Sequence, residues 1–596
     1  MFVVCKSIRT FGTQKKWIMD AKEVILGIHG DFYSKNWVNE ASVSLLVNGK
    51  LVACVAEERL SRVKVDGTFP EKAIKDVLSS AGLTINDVNH VATTCLHPTQ
   101  SNKKYFLSAL TTFFDTGIFL KKKFSSFGYN YIYNAFKTPA KKLALVEGKE
   151  FDIQHHDHHL CHAAGAYYCS PFDEALVITL DGGGDGLDGG AYIAKGTKLE
   201  RFLEVPHFQS PGTMYSAITN DLGFKRHRHE GKITGLAAFG NPDIKRVGLD
   251  NLLTYNPKKH RFVSAKIANH HNNLSDKSDY FYPLLNKFSK EDLAAVTQQI
   301  FENEIVKFVK DALEIAKAKG YQPKNICLAG GCFANVKLNQ RLLQIGSFNN
   351  IYVFPAMGDD GLSAGAALLA YYNLHPNADR NTSKLDNVYL GREFTAEQIK
   401  TALEEFKIKY EHVDEIEVRV AQLLAKGKVV ARYNGRMEYG PRALGNRSVI
   451  AAAFDKSIND WLNKKFNRTE FMPFAPSMLE EYAADYLIDY EKHHAAADFM
   501  TITYNIKPGM AEKIPAVVHI DNTARPQIVK KSTNPSYHKI IEEFYKLTGV
   551  AVVLNTSFNM HEEPIVYTPQ DAIRGFLDAQ LDYLAIGNYL VDFNNR

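Results

Sequence analysis

Short apolar runs separated by turn residues predict strands in the first part of the chain. Two runs rich in Val and Leu occupy 42–47 and 51–55, with Asn48-Gly49 between them. Asn-Gly is the preferred sequence of a two-residue hairpin turn, because both residues tolerate a positive φ. The pattern therefore predicts a β-hairpin. A short strand over 23–28 precedes it, and a helix over 71–81 follows it.

A second strand–turn–strand unit lies further along the chain. A predicted strand over 175–180 runs into the glycine-rich turn Asp181–Gly186, and another strand over 190–194 follows. Two such units, each opening one half, indicate a duplicated α/β core. A long helix over 291–318 comes next. The later runs predict strands over 325–329, 351–354, 429–433 and 550–554 and a helix over 363–369.

A segment over 373–386 is rich in Asn, Asp, Pro and Ser, which is typical of a loop between domains. With 596 residues the chain is too long for one hydrophobic core. We therefore predict a first domain over 22–385 and a second domain over 386–596. Residues 1–21 lack the apolar centre of a secretory signal, and we expect an N-terminal extension rather than a transit peptide.

The stretch over 101–150 interleaves lysines with aromatic residues. Basic and aromatic side chains together occur in nucleic-acid-binding surfaces. The simpler interpretation is a helical insertion of the first domain that buries its aromatic side chains and exposes its lysines. Such an insertion could form a lid or a wall over a substrate pocket.

Composition and charge argue against several classes of protein. Lys and Arg number 71 against 66 Asp and Glu, and the net charge of +5 is weak for so long a chain, so it argues little about nucleic acid. We do not expect a nucleic-acid or membrane partner. No apolar run approaches the roughly 18 residues of a membrane span. The seven cysteines form no C-x-x-C pair, which favours a reducing, cytoplasmic location and disfavours a zinc ribbon or a disulfide framework.

A histidine-rich run over 155–162, HHDHHLCH, is the first candidate site. Residues four apart on a helix share a face, so His158 and His162 could bind one metal ion together. His155 and His159 have the same spacing, and the pattern does not choose between the two pairs.

A carboxylate could complete this metal site. Asp359 and Asp360 follow the predicted strand over 351–354 and offer that ligand. Two histidines and one carboxylate with open positions suit iron(II), and zinc or manganese are alternatives.

Glycine-rich turns at strand ends could bring backbone N–H groups close to phosphate. Asp181 begins one such turn, and Gly330-Gly331 and Gly358–Gly361 repeat the feature. A nucleotide lying between two α/β halves could be held by these turns.

The second domain concentrates basic residues in a short stretch. Arginine forks bind phosphate and carboxylate through paired hydrogen bonds. Glycines and a proline among them indicate a shaped loop, so we expect an anion-binding cradle, to which Arg525, Asn555 and Ser557 could add. The basic residues of the stretch are Arg436, Arg442, Arg447, Lys464, Lys465 and Arg468.

A metal centre and an anion cradle in one polypeptide favour phosphate-linked group transfer. Six segments together resemble the NodU/CmcH-type O-carbamoyltransferase family, in family order over nearly the whole chain. The segments are DHHLCHAA over 157–164, EGKITGLA over 230–237, GDDGLSAG over 358–365, GRMEYGPRALGNRS over 435–448, MPFAPS over 472–477 and LNTSFN over 554–559.

The resemblance implies an α/β fold with a duplicated first domain of the actin/sugar-kinase superfold, similar to the tRNA threonylcarbamoyl-transferring proteins, and a YrdC-like second domain. It implies that the second domain forms carbamoyl-adenylate from carbamoyl phosphate and Mg-ATP. The carbamoyl group would then pass to a hydroxyl-bearing small molecule, a specialised metabolite, at an iron site in the first domain. We also expect a homodimer.

The resemblance also assigns roles by position. His158, His162 and Asp359 would be the metal ligands, and His158 would thereby act in catalysis. Asp181 would contact the nucleotide in the first domain, and Lys64 would contact the intermediate. The residues that would hold carbamoyl phosphate and ATP are Arg436, Arg442, Arg447, Lys465, Arg468, His519, Arg525, Asn555 and Ser557.

The chain departs from the family pattern in two places. Many members carry a His-Asp pair near the first strand that is proposed to act at the acceptor hydroxyl, whereas the aligned stretch here reads Asn39-Glu40. His29 lies ten residues earlier, so either His29 is the catalytic base or the base differs. Members commonly have Arg where this chain has Met472, which removes one expected phosphate contact.

Two other functions fit parts of the sequence. A small-molecule kinase of the same superfold would bind ATP but would not need the second domain. A tRNA-directed carbamoyl-type enzyme or an RNA-binding factor would use the basic, aromatic insertion and bind RNA in a salt-sensitive manner. The related hydrogenase maturation factor carries Cys-rich zinc fingers, and the lack of C-x-x-C pairs argues against it.

Overall fold

The computed structural model describes residues 23–31, 39–94, 96, 98–118, 142–144, 149–270, 277–467, 473–493 and 496–595. The predicted N-terminal extension over 1–21 lies outside the described residues. So do residues 119–141 of the predicted insertion, the candidate ligand Arg468, and Met472.

The first sheet begins with an antiparallel meander and continues with parallel strands. β1 pairs antiparallel with β2 and parallel with β4, and β4 pairs parallel with β6. The strand order is β3-β2-β1-β4-β6-β5. The strands are β1 (Val24–His29), β2 (Ser42–Val47), β3 (Lys50–Ala56), β4 (His90–Thr93), β5 (Lys142–Ala144) and β6 (Glu150–His155).

The hairpin predicted between β2 and β3 is confirmed. Asn48 and Gly49 form its turn with φ of 49° and 84°, the left-handed conformation that the Asn-Gly sequence tolerates.

The second sheet repeats the arrangement of the first, with three antiparallel strands followed by two parallel ones. Its order is β13-β12-β7-β8-β9. β7 pairs antiparallel with β8 and parallel with β12, as β1 does with β2 and β4. The duplicated α/β core is therefore confirmed. The strands are β7 (Glu174–Gly184), β8 (Leu187–Lys195), β9 (Lys198–Pro206), a separate hairpin of β10 (Thr254–Asn256) and β11 (Arg261–Val263), β12 (Asn325–Ala329) and β13 (Asn350–Val353).

A third, mixed sheet of eight strands lies in the C-terminal part of the chain, in the order β14-β23-β22-β15-β16-β21-β17-β20. The strand predicted over 550–554 is shifted, because β21 begins at Val552 and continues to Ser557. The strands are β14 (Glu411–His412), β15 (Val430–Tyr433), β16 (Arg447–Ala452), β17 (Ala475–Leu479), a short pair of β18 (Tyr504–Asn505) and β19 (Thr523–Ala524), β20 (Gln527–Val529), β21 (Val552–Ser557), β22 (Tyr583–Ile586) and β23 (Tyr589–Asp592).

Helices cover the faces of these sheets. Those of the first half are α1 (Glu58–Ser61), α2 (Glu71–Ser80), α3 (Pro98–Thr116), α4 (His158–Tyr168), α5 (Pro211–Asp221), α6 (Glu230–Leu236), α7 (Ile244–Val247), α8 (Ala265–His270) and α9 (Lys290–Ala318). The others are α10 (Val336–Gln344), α11 (Leu362–Leu374), α12 (Ala396–Glu405), α13 (Ile416–Ala425), α14 (Ile458–Lys465), α15 (Ala483–Tyr486), α16 (Tyr490–His493), α17 (Pro535–Thr548) and α18 (Pro569–Ala579). Among the described residues, no helix is both long and apolar enough to cross a membrane.

Helix α3 corrects part of the expectation for the insertion. The segment is helical as predicted, but Phe114 on it is 77% exposed. One of its lysines forms an ion pair within the protein, since Lys104 Nζ lies 2.7 Å from the carboxylate of Asp157. The helix therefore contacts the start of α4 through a lysine. Its aromatic residues differ, since Tyr105 packs edge-on against His207 at a ring separation of 5.3 Å whereas Phe114 is exposed.

Candidate functional site

The start of helix α4 is fixed by Asp157. Its carboxylate accepts a hydrogen bond of 3.0 Å from the backbone N–H of Leu160, which caps the helix. Lys104 and Arg201 both pair with this carboxylate. Burial alone would raise the pKa of Asp157, but these two cations hold it well below its usual range. The charged cap determines where the helix begins and which residues share its faces.

Helix α4 directs His158 and His162 toward the end of β7. The two residues are four apart and both are buried. His158 Nε2 lies 2.8 Å from Asp181 Oδ2, and His162 Nε2 lies 3.2 Å from the same oxygen. Asp181 belongs to the central strand of the second sheet, which carries it beneath the helix.

Asp359 lies in the turn between β13 and α11 and completes the group of candidate ligands. Its Oδ1 atom lies 3.7 Å from His158 Nε2 and 3.5 Å from His162 Nε2. One ligand atom from each of His158, His162, Asp181 and Asp359 lies within 4.8 Å of every other. These three elements thus bring two imidazoles and two carboxylates around one point.

The donor set fits a divalent transition metal. Imidazole nitrogen and carboxylate oxygen are ligands of iron(II), zinc and manganese. His162 Nε2 is buried and makes no hydrogen bond of good geometry, although two carboxylates lie near it. A buried polar atom without a partner is costly, and a bound cation would satisfy it.

The charges of the cluster depend on one another. Burial would lower the pKa of His158, but Asp181 and Asp359 raise it to about 10. Burial would raise the pKa of Asp181, but the neighbouring histidines hold it well below its usual range. Burial would likewise raise the pKa of Asp359, but His162 and His158 lower it, so both carboxylates are ionised and able to act as ligands.

The structure distinguishes between the two histidine pairs. His155 ends strand β6 and precedes the helix, so it does not share a helical face with His159. His159 Nε2 is buried and lies 3.1 Å from the backbone oxygen of Leu187. The four-ligand cluster accordingly contains His158 and His162.

His29 is buried near this cluster and has partners at both ring nitrogens. Nε2 lies 3.0 Å from the Asn39 carbonyl oxygen, which only accepts, so Nε2 carries the proton. Nδ1 then accepts from the Thr94 hydroxyl at 2.6 Å. Burial lowers the pKa of His29 to about 4, so the ring is neutral at pH 7. Its role as catalytic base stays a prediction and requires Nδ1 to exchange Thr94 for another donor.

Lys64 lies in the loop after α1. Its Nζ atom is 3.5 Å from Glu58 Oε1, and burial lowers its pKa. The backbone oxygen of Lys64 accepts a hydrogen bond of 3.0 Å from Arg228. The loop is therefore held in place, and the predicted contact of Lys64 with the intermediate stays a prediction.

Two arginines of the predicted cradle are used within the protein. Arg436 donates to the backbone oxygens of Val52 and Leu390, at 2.7 and 2.8 Å. Arg447 is fully buried, donates to the backbone oxygen of Asn434 at 2.8 Å, and lies 3.8 Å from the Tyr433 ring centroid. These guanidinium groups shape the loop, and their predicted contact with ligands is untested.

Asn555 supports the same loop from strand β21. Its side-chain NH₂ group donates to the Ala443 backbone oxygen and to Ser477 Oγ, at 3.1 and 3.0 Å. Its Oδ1 atom is buried without a hydrogen-bond partner and remains able to accept one. Ser557 lies two residues further on, opposite Ser448 of β16.

His519 and Arg525 line a cleft between the first and second predicted domains. The cleft is small and partly open to solvent, and it also contains Thr234, Lys337 and Phe474. Lys465 lies elsewhere on α14, where its Nζ atom is 5.3 Å from the Trp461 ring centroid.

Comparison with known proteins identifies the family. The carbamoyltransferase N-terminus family matches residues 25–368, and the carbamoyltransferase C-terminus family matches residues 421–592. Because the first match alone covers more than half of the chain, the chain belongs to the carbamoyltransferase family. Its members are enzymes that transfer a carbamoyl group, and the predicted enzyme class is confirmed.

Three relatives illustrate the similarity. The uncharacterized protein MJ1058 of Methanocaldococcus jannaschii is 36% identical over 78% of this chain and 78% of its own length. The nodulation protein NolNO of Sinorhizobium fredii is 31% identical over 93% of this chain and 79% of its own. The 3'-hydroxymethylcephem-O-carbamoyltransferase of Streptomyces clavuligerus is 27% identical over 74% of this chain and 81% of its own.

Sequence reasoning missed two features of the site. Asp181, expected at the nucleotide, also lies beside the two histidines as a fourth candidate ligand, and its predicted nucleotide contact stays a prediction. Lys337 was not singled out, because a lone lysine on a helix is commonly a solvent-exposed residue. Only the position of α10 against the second domain brings it to the cleft.

Proposed function

We propose that the protein is an ATP-dependent O-carbamoyltransferase that uses carbamoyl phosphate and acts on a hydroxyl group of a small molecule, a specialised metabolite. Its second domain consumes carbamoyl phosphate, ATP and one water molecule, forms carbamoyl-adenylate, and releases pyrophosphate and phosphate. Its first domain transfers the carbamoyl group to the acceptor oxygen with release of AMP. The name of the Streptomyces clavuligerus relative, which specifies carbamoyl transfer to a hydroxymethylcephem, supports a hydroxyl acceptor.

The observation that carries the proposal is the cluster of His158, His162, Asp181 and Asp359, of which the first three are buried and Asp359 is partly exposed. This set would hold iron(II), or zinc or manganese, through two imidazole nitrogens and two carboxylates. When bound, such an ion supplies Lewis-acid polarisation of a carbonyl oxygen. A small-molecule kinase has no need of this chemistry at a position formed by His158 and His162.

The chain's own residues would prepare the acceptor and the intermediate. His29 is neutral and can take the proton of the acceptor hydroxyl once Nδ1 is released by Thr94. Lys64 would offer its ammonium group to the phosphate of the adenylate. Arg442, Lys465 and Arg525 would supply positive charge for carbamoyl phosphate and Mg-ATP in the second domain, and His519 would contact the same ligands. Arg436 and Arg447 would hold the loop of Arg442 in shape.

One tyrosine links the arginine-rich loop to the turn that carries Asp359. The Tyr439 hydroxyl, in the arginine-rich loop, donates a hydrogen bond of 2.6 Å to the backbone oxygen of Asp360. Asp360 is the neighbour of the candidate ligand Asp359. This contact supports a transfer of the intermediate inside the protein, which would limit its hydrolysis.

The test is an assay of the full-length protein with carbamoyl phosphate and ATP, in which pyrophosphate, AMP and ADP are measured with and without added iron(II). We expect pyrophosphate release that depends on carbamoyl phosphate. Formation of ADP that is indifferent to carbamoyl phosphate would instead identify a kinase-like ATPase and overturn the proposal.

A further inference from the structure

The cleft that contains His519 and Arg525 is formed by both domains. Lys337 and Thr234 belong to the first half of the chain, and Phe474 and the two proposed donor-site residues belong to the second. The cleft is therefore complete only where the two domains meet. The first domain supplies its lysine from helix α10.

Helix α10 is held firmly against the second domain. Asn335 caps it by accepting a hydrogen bond of 3.1 Å from the Leu338 N–H. The buried side chain of Asn339 donates to the Thr501 backbone oxygen at 2.8 Å, and Thr503 donates to Gln340 at 2.8 Å. The cap and the two hydrogen bonds between α10 and the second domain thus fix the position of Lys337 relative to the cleft.

Lys337 reaches into the second domain and pairs with Asp521. Its Nζ atom lies 2.8 Å from Asp521 Oδ2. The other oxygen, Oδ1, accepts from the Thr523 hydroxyl at 2.6 Å and lies 3.3 Å from His519 Nδ1. Burial would raise the pKa of Asp521, but His519 and Lys337 hold it well below its usual range. The carboxylate is therefore ionised and acts as an acceptor for both domains.

Asp521 in turn determines the state of His519. Because an ionised carboxylate only accepts, the proton of the ring resides on Nδ1. The side chain of His519 is 8% exposed, and its Nε2 atom is buried without a hydrogen-bond partner. The ring also lies edge-on to Phe239 of the first domain, with a centroid separation of 5.8 Å. His519 is thus oriented from both sides, and Nε2 is the atom left to meet a ligand in the cleft.

We propose that Lys337 is a positioning residue of the donor site. Through Asp521 it fixes the orientation and tautomer of His519, so that carbamoyl-adenylate formation in the second domain depends on a side chain of the first. The proposal rests on the proposed function, in which His519 meets carbamoyl phosphate or ATP. Its consequence is that the donor reaction requires docked domains, which confines the intermediate to a protein that is ready to transfer it.

The test compares Lys337→Met, Lys337→Arg and the wild type in pyrophosphate release by the full-length protein. We expect Lys337→Met to lower kcat/KM for the substrate that contacts His519 by roughly tenfold to 100-fold, the loss expected for one hydrogen bond to a charged group. Lys337→Arg should retain most of the wild-type kcat/KM, because arginine keeps the positive charge and a hydrogen-bond donor. A purely structural role would lower the thermal midpoint and leave kcat and KM of the folded enzyme unchanged, which would overturn the proposal.

Lys225 provides the matched control. It also forms a lysine–carboxylate pair between the domains, with Glu562 at 2.6 Å, but it does not line the cleft. Lys225→Met should leave pyrophosphate release within about twofold of the wild type, as expected for an exposed pair. An equal loss in Lys225→Met and Lys337→Met would mean that domain docking in general, and not His519, is affected.

A double-mutant cycle tests the route through Asp521. If Lys337 acts through this carboxylate, Lys337→Met combined with Asp521→Asn should cost little more than Asp521→Asn alone. Additive losses would overturn the route. A wild type that releases no pyrophosphate would refute the proposed function itself, whereas an active wild type with an unaffected Lys337→Met variant would refute only this inference.

Discussion

Two acids and two imidazoles share one buried space in the first domain. Asp181 and Asp359 would repel each other there if no positive charge lay between them. In the metal-free chain the histidines supply that charge, which is why the pKa of His158 is raised. A bound divalent cation would replace these protons as the counter-charge, so metal binding and proton release are expected to be linked.

Replacement of a cluster histidine should separate the two half-reactions. We expect His158→Ala to reduce bound metal and to abolish carbamoyl transfer to the acceptor, while pyrophosphate release continues in the second domain. Metal analysis and the two assays measure this directly. His155→Gln is the control, because His155 lies in the same run but outside the cluster, and it should keep both activities. Loss of pyrophosphate release in His158→Ala would contradict the division of labour.

Asp181 allows a sharper test, because two roles are open to it. If Asp181 is a metal ligand, as its 2.8 Å contact with His158 favours, Asp181→Asn should lower both the metal content and the rate of carbamoyl transfer. If Asp181 instead contacts the nucleotide, Asp181→Asn should keep its metal and show a raised KM for the carbamoyl-adenylate. We predict the first result. Metal content equal to that of the wild type would assign Asp181 to the nucleotide.

The histidine pairs show where sequence reasoning ends at this scale. Spacing of four fits His155 with His159 as well as His158 with His162, because periodicity does not say where a helix starts. The start depends on Asp157, whose cap is reinforced by Lys104 and Arg201 from distant parts of the chain. Only the folded chain brings these partners together.

At the scale of elements, the site depends on how closely helices α4 and α11 approach. A Cβ atom at Gly365 of α11 would lie 1.9 Å from the backbone oxygen of Cys161 in α4. Cys161 lies between the two cluster histidines, and α11 begins directly after the turn of Asp359. Glycine at this position therefore holds the ligand-bearing helix against the ligand-bearing turn.

Gly365→Ala should consequently disturb both stability and metal binding. The added methyl group cannot be accommodated without moving one helix, and overpacking of this kind costs about 1–3 kcal/mol. We expect a lower thermal midpoint and less bound metal. Gly231→Ala on α6 is the control, because a Cβ there meets no atom within 4 Å, and it should leave the midpoint unchanged or slightly raised. Unchanged metal content in Gly365→Ala would contradict the argument.

Local patterns predicted these elements well where both faces of a strand are buried. The hairpin of β2 and β3 and the strand β12 follow from apolar runs with clear turn residues at their ends. The limits of β21 were not predicted, because Asn555 and Ser557 are polar residues inside the strand. The Asn555 side chain donates to the arginine-rich loop at the Ala443 backbone oxygen. The exposure of Phe114 on α3 was also not predictable, since it depends on which neighbours cover the helix.

At the scale of the whole molecule, the repeated strand–turn–strand units predicted the duplicated core, because each unit is local in sequence. The docking of the second domain was beyond such reasoning. Arg436, expected at a ligand, donates to the backbone oxygen of Val52, which is 384 positions away in the sequence. Contacts of this kind depend on the relative placement of whole sheets, which hydrophobic periodicity does not encode.

The interface between the domains is apolar as well as polar. One continuous apolar cluster includes Leu328 of the second sheet and Leu554 of the third. Arg62, after α1, donates hydrogen bonds of 2.8 Å each to the backbone oxygens of Pro564 and Ile565. Exposing this surface would be costly for either domain alone, so we expect both domains to unfold together.

Calorimetry of the full-length protein should therefore show one cooperative unfolding transition that includes both domains. Arg62→Ala should lower its midpoint, because two buried carbonyl oxygens lose a charged donor, at a cost of about 2–4 kcal/mol. Arg574→Ala is the matched control. Arg62 and Arg574 both pair with Asp571, at 3.6 and 3.2 Å, but Arg574 lies half-exposed on α18 within the second domain. Arg574→Ala should lower the free energy of unfolding by less than about 1 kcal/mol. Two well-separated transitions in the wild type would show that the domains are independent, and the dependence of the donor site on Lys337 would then lose its physical basis.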